Sequence, residues 1–187
     1  MILVRHCQSE FNLHYGRTGV DPGIVDPRLT EEGRRQAARL AGLLAPMPCK
    51  RLISSPYRRA IETASALATV LRAPLQIERL VGERMAFVCD VGSPVSHLSS
   101  EWPDLDFTAL EERWWPQIEE DEATLQVRCR AFRATAMAAH DTEGWIVVSH
   151  WGFIRGLTGL GISNGTALRY DPRSGRAESL EAADPAC

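Results

Sequence analysis

Two unbroken apolar runs, Ile2-Leu3-Val4 and Ile146-Val147-Val148, constrain this chain more than any other feature, because each ends abruptly in polar and charged residues. A short β-branched run with no polar alternation is a strand covered on both faces, which in a soluble protein means a parallel sheet with helices on either side. The stretches between fit that scheme. Thr30 can cap a helix whose first turn carries Glu31 and Glu32 and whose apolar stripe is Ala37, Leu40, Ala41 and Leu44. Arg51 to Ser54 reads as a second strand, followed by a helix with Ser55 as N-cap, Pro56 at its first position, and Ala60, Ala64, Leu67 and Leu71 as its stripe. Leu75 to Glu78 reads as a third strand and Trp145 to Ser149 as a fourth. Asp121 opens a helix carrying Leu125, Cys129, Phe132 and Ala136, and Asn164-Gly165 marks a turn before a weak strand pair around Leu168 and Ala177. Alternating strands and helices predict a three-layer α/β/α sandwich with a largely parallel sheet. At 187 residues the chain fits a single domain, 1–187, and the Pro-, Trp- and acid-rich stretch from Glu83 to Glu120, which follows neither period, reads as a lid inserted into it.

Composition removes several classes of function. A net charge of -3 supplies no basic field for nucleic acid, and no apolar run is long enough to span a membrane. Lys50 is the single lysine against twenty arginines, and no glycine-rich loop precedes it, so a Walker A loop and lysine Schiff-base chemistry are both absent. Cys7, Cys49, Cys89, Cys129 and Cys187 form no Cys-x-x-Cys pair, and their odd number argues against a disulfide framework. With no signal-peptide pattern at the start, a soluble cytoplasmic protein is expected. Asp104-Leu105-Asp106-Phe107-Thr108 imitates an aspartyl-phosphate signature but follows no buried strand, and no cysteine is followed by five residues and an arginine.

In an open α/β sheet, ligands bind beyond the carboxyl ends of the strands. The first run is followed by Arg5-His6, the second by Ser54-Ser55-Pro56-Tyr57-Arg58-Arg59, and the fourth by Ser149-His150-Trp151-Gly152. Histidines and arginines converging on one rim would suit a phosphate or a carboxylate. Arg58 and Arg59 point about 100° apart on a helix, so one of them enters the rim, and register with Ala60 favours Arg59.

These residues carry a resemblance. Leu3-Val4-Arg5-His6, Ser54-Ser55-Pro56-x-x-Arg59-Ala60 and Val147-Val148-Ser149-His150-x-Gly152, with Ser9-Glu10-Phe11-Asn12, Leu29-Thr30-Glu31-Glu32-Gly33 and Gly82-Glu83-Arg84, resemble the histidine phosphatase superfamily over residues 2–156. Its best-known branch is the phosphoglycerate mutases, whose α/β/α fold is then expected here. Cys89-Asp90-x-Gly92-Ser93-Pro94 and Trp114-Trp115 look like a less-studied set of phosphoglycerate mutase-like proteins. The pattern departs at Cys7, where glycine or alanine is usual, and at Trp151, where a small residue often stands.

The resemblance implies a metal-independent phosphatase with no cofactor, acting on a phosphorylated small molecule through a phosphohistidine, with a phosphorylated protein and the oligomeric state left open. His6 would be the nucleophile, Glu83 the acid and base, and Arg5, Arg59 and His150 the phosphate ligands, with Asn12 orienting phosphate or His6. Glu78 and Glu101 flank the lid as alternatives to Glu83, and Asn12 has a second reading as a cap. His14, His97 and His140 lack motif context and read as surface residues. Trp102, Trp114, Trp115, Trp145 and Trp151 read as packing more than as ligand stacking. The rival readings are mutase-type phosphoryl transfer and a catalytically idle phospholigand-binding module.

Overall fold

A computed structural model describes residues 1–139 and 141–180, so the expectations on His140 and Cys187 lie outside the described residues. Six strands form one sheet: β1 (Ile2–Arg5), β2 (Arg51–Ser54), β3 (Leu75–Ile77), β4 (Trp145–Ser149), β5 (Ala167–Tyr170) and β6 (Ala177–Ser179), in the order β3-β2-β4-β1-β5-β6. The pairs among β1 to β4 are parallel, whereas β1 with β5 and β5 with β6 are antiparallel. Helices α1 (Glu10–Thr18), α2 (Glu31–Leu44), α3 (Arg58–Leu71), α4 (Val95–Glu101), α5 (Glu122–Ala138) and α6 (Trp151–Thr158) complete the frame. The three-layer α/β/α expectation therefore holds.

The two unbroken apolar runs are divided by the pleat, which sends alternate side chains to opposite faces. Ile2, Val4, Ile146 and Val148 pack with Leu40 and Leu44 of α2 and Ala60, Ala64 and Leu67 of α3. Leu3 and Val147 face the other way, against Leu125 and Phe132 of α5 and Phe153 of α6. Each run feeds both cores, which is why neither tolerates a polar residue.

The strand order sets the site. From β1 the chain passes over β4 to reach β2, and returns to β4 later, so the carboxyl ends of β1 and β4 lie side by side while the chain leaves them in opposite directions. Arg5 pairs with Ser149, and the His6 amide donates to the Ser149 carbonyl at 2.9 Å. His6 and His150 are thus neighbours by backbone register.

Three local expectations need correction. The helix after β2 begins at Arg58, with Tyr57 as N-cap and no side-chain cap from it, in place of Ser55 and Pro56. Asp26, buried and at a left-handed φ of 39°, caps it from afar by accepting from the Arg58 amide at 3.1 Å. The sequence reading also lacked α1, which buries Phe11 alone and so shows no apolar stripe, although a Ser9/Asn12 capping box starts it and Gly19 at φ 67° ends it. β3 stops at Ile77, because Glu78 turns to cap the 3₁₀ turn Arg79–Val81.

Between Glu83 and Glu120 the chain forms a second 3₁₀ turn, Val88–Asp90, and the short α4, which packs inward through Leu98. Trp114 and Trp115 are buried here with Tyr57, Ile61, Leu98 and Phe107 as a separate core over α3. Among the described residues, no helix is long and apolar enough to cross a membrane.

Candidate active site

His6 leaves β1 with its ring enclosed, only 3% of the residue being exposed. Its Nδ1 lies 2.7 Å from the Cys7 carbonyl. A carbonyl can only accept, so Nδ1 carries the hydrogen and Nε2 is left with a free lone pair. Burial, then the Arg59 and Arg5 charges, hold the imidazolium well below the ordinary histidine range, so the ring is neutral at physiological pH. A neutral ring with an unprotonated Nε2 is a nucleophile that needs no separate base.

His150 directly follows β4, the strand beside β1, as the N-cap residue of α6, its ring centroid 5.0 Å from that of His6. Burial first, then Arg59 and His6, keep it neutral too. Its Nε2 is 2.7 Å from the Ser55 hydroxyl, and Ser55 already accepts a longer contact from the Tyr57 amide. Nδ1 is buried without a protein partner; a Ser55 hydroxyl that donates to Nε2 leaves the hydrogen of the neutral ring on Nδ1. That role for Ser55 explains why it does not cap α3. The reading of Ser55 as a helix cap missed it, although the residue lies inside the second motif.

Arg59 is buried on the first turn of α3, donating to the Cys89 carbonyl at 2.7 Å and to Asp90 at 3.0 Å. Burial is the largest influence and opposes its charge, but Asp90 together with Cys89, Asp26 and Tyr57 more than offsets it, and the guanidinium is held more firmly charged than usual. Arg58 points elsewhere and pairs with Glu101 at 3.4 Å. Arg5 is tied to the Ile162 carbonyl at 2.7 Å, and its Nε is a further buried donor without a partner. Of the four buried polar side-chain atoms without a hydrogen-bond partner among the described residues, Arg5 Nε and His150 Nδ1 belong to this rim, while Arg58 Nε and Tyr170 Oη lie outside it.

Glu83 follows the 3₁₀ turn after β3. Its Oε1 accepts from Arg84 N at 2.8 Å and from Gly152 N and Phe153 N at 2.9 and 3.3 Å, which places it at the start of α6. Burial, and then the nearby Asp90 charge, push its carboxyl up to about 7. Such a group is part protonated and part ionised near neutrality, as an acid that must later act as a base requires. The two alternatives are occupied elsewhere, Glu78 in its cap and Glu101 with Arg28 and Arg58.

Asn12 has the contacts of its second reading. Its Oδ1 accepts from the Ser9 amide and hydroxyl and from Asn164, and it reaches His6 only through Asn164, which also donates to the His6 carbonyl at 3.0 Å. Asn164 was legible as a turn residue alone. Beside Glu83 lies a cavity of about 510 Å³, walled by Tyr57, Leu80, Trp114, Ile118 and Arg128 among others. Among the described residues, no group of three or more His, Cys, Asp or Glu is placed to hold a metal ion.

The family model for the histidine phosphatase superfamily (branch 1) matches residues 1–177. The chain belongs to the histidine phosphatase superfamily. This histidine phosphatase is 29% identical over 153 residues to phosphoserine phosphatase 1 of Hydrogenobacter thermophilus, covering 80% of this chain and 70% of that one. It is 26% identical over 189 residues to a glucosyl-3-phosphoglycerate phosphatase of Mycolicibacterium vanbaalenii, covering 90% of this chain and 78% of that one. A solved mycobacterial glucosyl-3-phosphoglycerate phosphatase with VO3 shares its fold at a TM-score of 0.62 and 22% identity, over 98% of this chain and 99% of that one.

Proposed function

We propose that His6 is the nucleophile of a phosphate-monoester hydrolase, with Arg5, Arg59 and His150 as phosphate ligands and Glu83 as acid and base. The observation that carries this is the His6 ring, locked by Cys7 with Nε2 free and lying against His150. Nε2 attacks phosphorus, the N–P bond forms as the bond to the leaving oxygen breaks, and Glu83 gives that oxygen its proton. Water then attacks phosphorus, passes a proton to Glu83 and releases His6 and inorganic phosphate. The guanidiniums and the His150 Nδ1–H supply charge and donors to the transferring group, the positioning and electrostatic work that dominates phosphoryl transfer.

The chain reads as one domain, 1–187, in which residues 83–120 form a lid, since that segment carries its own small core over α3 and contributes both Glu83 and the partners of Arg59. The cavity beside Glu83 is lined by none of Arg5, His6, Arg59 and His150, so it is not the phosphate pocket, and a small alcohol as leaving group is supported by the relatives alone. Phosphoserine and glucosyl-3-phosphoglycerate, named for the relatives, are the first substrates to test. The decisive experiment is a rapid quench with phosphorus-labelled substrate, kept away from acid. An acid-labile, base-stable adduct on His6, absent from His6→Ala together with turnover, is expected. Turnover surviving His6→Ala with no adduct would remove the assignment.

A further inference from the structure

The stretch Cys89-Asp90-x-Gly92-Ser93-Pro94 has no part in the chemistry above, yet Asp90 is a carboxylate enclosed to 2% exposure beside it. Burying an ion costs several kcal/mol unless its oxygens are fully partnered. Here they are. Oδ1 accepts from Arg59, while Oδ2 accepts from the Ala86 and Phe87 amides at 3.1 and 3.0 Å and closes the turn at the lid tip. The Tyr57 hydroxyl donates to the Asp90 carbonyl at 2.6 Å, and the Arg59 guanidinium lies 4.5 Å from the Tyr57 ring.

The tip is in turn fastened to the frame by three contacts. Asp21 accepts from the Val88 amide at 2.9 Å, Asp26 accepts from the Ser93 amide at 3.0 Å, and Phe87 packs on Phe11 and Tyr15 at 5.4 Å. These contacts hold the segment that places Asp90 against Arg59. We propose that Asp90 is a positioning residue of this reaction, delivered by the lid, which acts through Arg59 and Glu83.

Two consequences of the geometry support this proposal, which rests on the roles of His6 and Glu83 given above. Asp90 and the Cys89 carbonyl engage two of the five N–H groups of Arg59, fixing the guanidinium plane while leaving the others for phosphate. Glu83 is also faced by Arg5 from β1, Arg59 and Tyr57 from α3, Cys89 and Asp90 from the lid, and, at its backbone carbonyl, Arg128 from α5. Within that set the Asp90 charge opposes ionisation of Glu83 and the Arg59 and Arg5 charges favour it, so loss of the Asp90 charge lowers the proton affinity of the acid.

The test compares the wild-type enzyme with Asp90→Asn and Asp90→Ser, the second being too small to clash. For each, kcat/KM is followed from pH 5 to 9 on an alkyl phosphate and on an activated aryl phosphate, whose leaving group needs no proton. Loss of the Asp90 charge should move the alkaline limb for the alkyl ester to lower pH by at least about half a unit, the scale of one like-charge neighbour. At pH 8 the alkyl ester should then lose at least threefold more than the aryl ester. Equal losses on both esters at every pH would reduce Asp90 to packing, and a gain at every pH would make it a competitor of phosphate. Failure of both variants to fold would assign it to stability. Any of the three overturns the proposal. If the wild type still gives the His6 adduct, only the Asp90 inference falls; if it does not, the underlying reading falls first.

Discussion

Replacing Gly152 by alanine isolates the placement of the proposed acid. Gly152 is the second residue of α6, and its amide donates to Glu83 Oε1 at 2.9 Å. A Cβ added there would stand 2.5 Å from that oxygen and 3.0 Å from Arg84 Cβ. Ordinary contact begins near 3.4 Å, so the carboxyl would have to retreat by about 0.9 Å. A misplacement on that scale costs up to about 10²-fold, and a general acid is worth about 10²- to 10⁴-fold, so alkyl phosphates should lose about 10²-fold in kcat/KM. Activated aryl phosphates should lose under about fivefold, because they depart without a proton. Oε1 would draw away from its three amide donors at once, so stability falls by about 1–3 kcal/mol even after the gain in helix propensity. Kinetics on the two ester classes, taken at a temperature where the variant is still folded, make the comparison clean. Equal losses on both esters, or a wild-type rate on the alkyl ester, would refute the reasoning.

Two further predictions follow from the same geometry. Glu83 has a carboxyl raised to about 7 in the fold but an ordinary one near 4.5 when unfolded, so folding costs nothing extra below pH 4.5 and progressively more as pH rises to 7. Glu83→Gln should therefore match the wild type in stability at pH 4 and exceed it at pH 8, by at most about 3 kcal/mol, in chemical denaturation; a constant difference across that range would contradict it. Ser55→Ala removes the hydroxyl that meets His150 Nε2, and should weaken inhibition by inorganic phosphate by about five- to fiftyfold without unfolding the protein. Unchanged phosphate inhibition would leave Ser55 with no orienting role.

The frame was legible because its strands are buried on both faces and its long helices bury regular stripes, as Leu40, Ala41 and Leu44 do in α2. α1 was not, since a nine-residue helix burying only Phe11 has no period to read, and neither was α4, with only Leu98. His6, His150, Arg59 and Arg5 were legible from their places after apolar runs. Ser55, Asn164 and Asp90 were not, because their partners lie 95, 158 and 31 residues away, at His150, His6 and Arg59. Hydroxyls, amides and carboxylates are common on surfaces, and only the fold reveals which of them are enclosed. Trp114 and Trp115 were weighed as packing, and that is where they are found.

The register of β1 on β4 has a consequence for how this enzyme can diverge. The rung that joins the His6 amide to the Ser149 carbonyl is made of backbone, so the spacing of the two main chains that carry the imidazoles depends on no particular side chain nearby. Mutational drift around the pair can alter solubility or stability and still leave that spacing intact. The excursion that carries Asp90 enters and leaves the frame at Glu83 and Glu120, two residues that both pack near Arg128. A graft of residues 86–118 from a relative would replace Cys89 and Asp90, the partners of Arg59, while the backbone rung under the paired imidazoles stays in place.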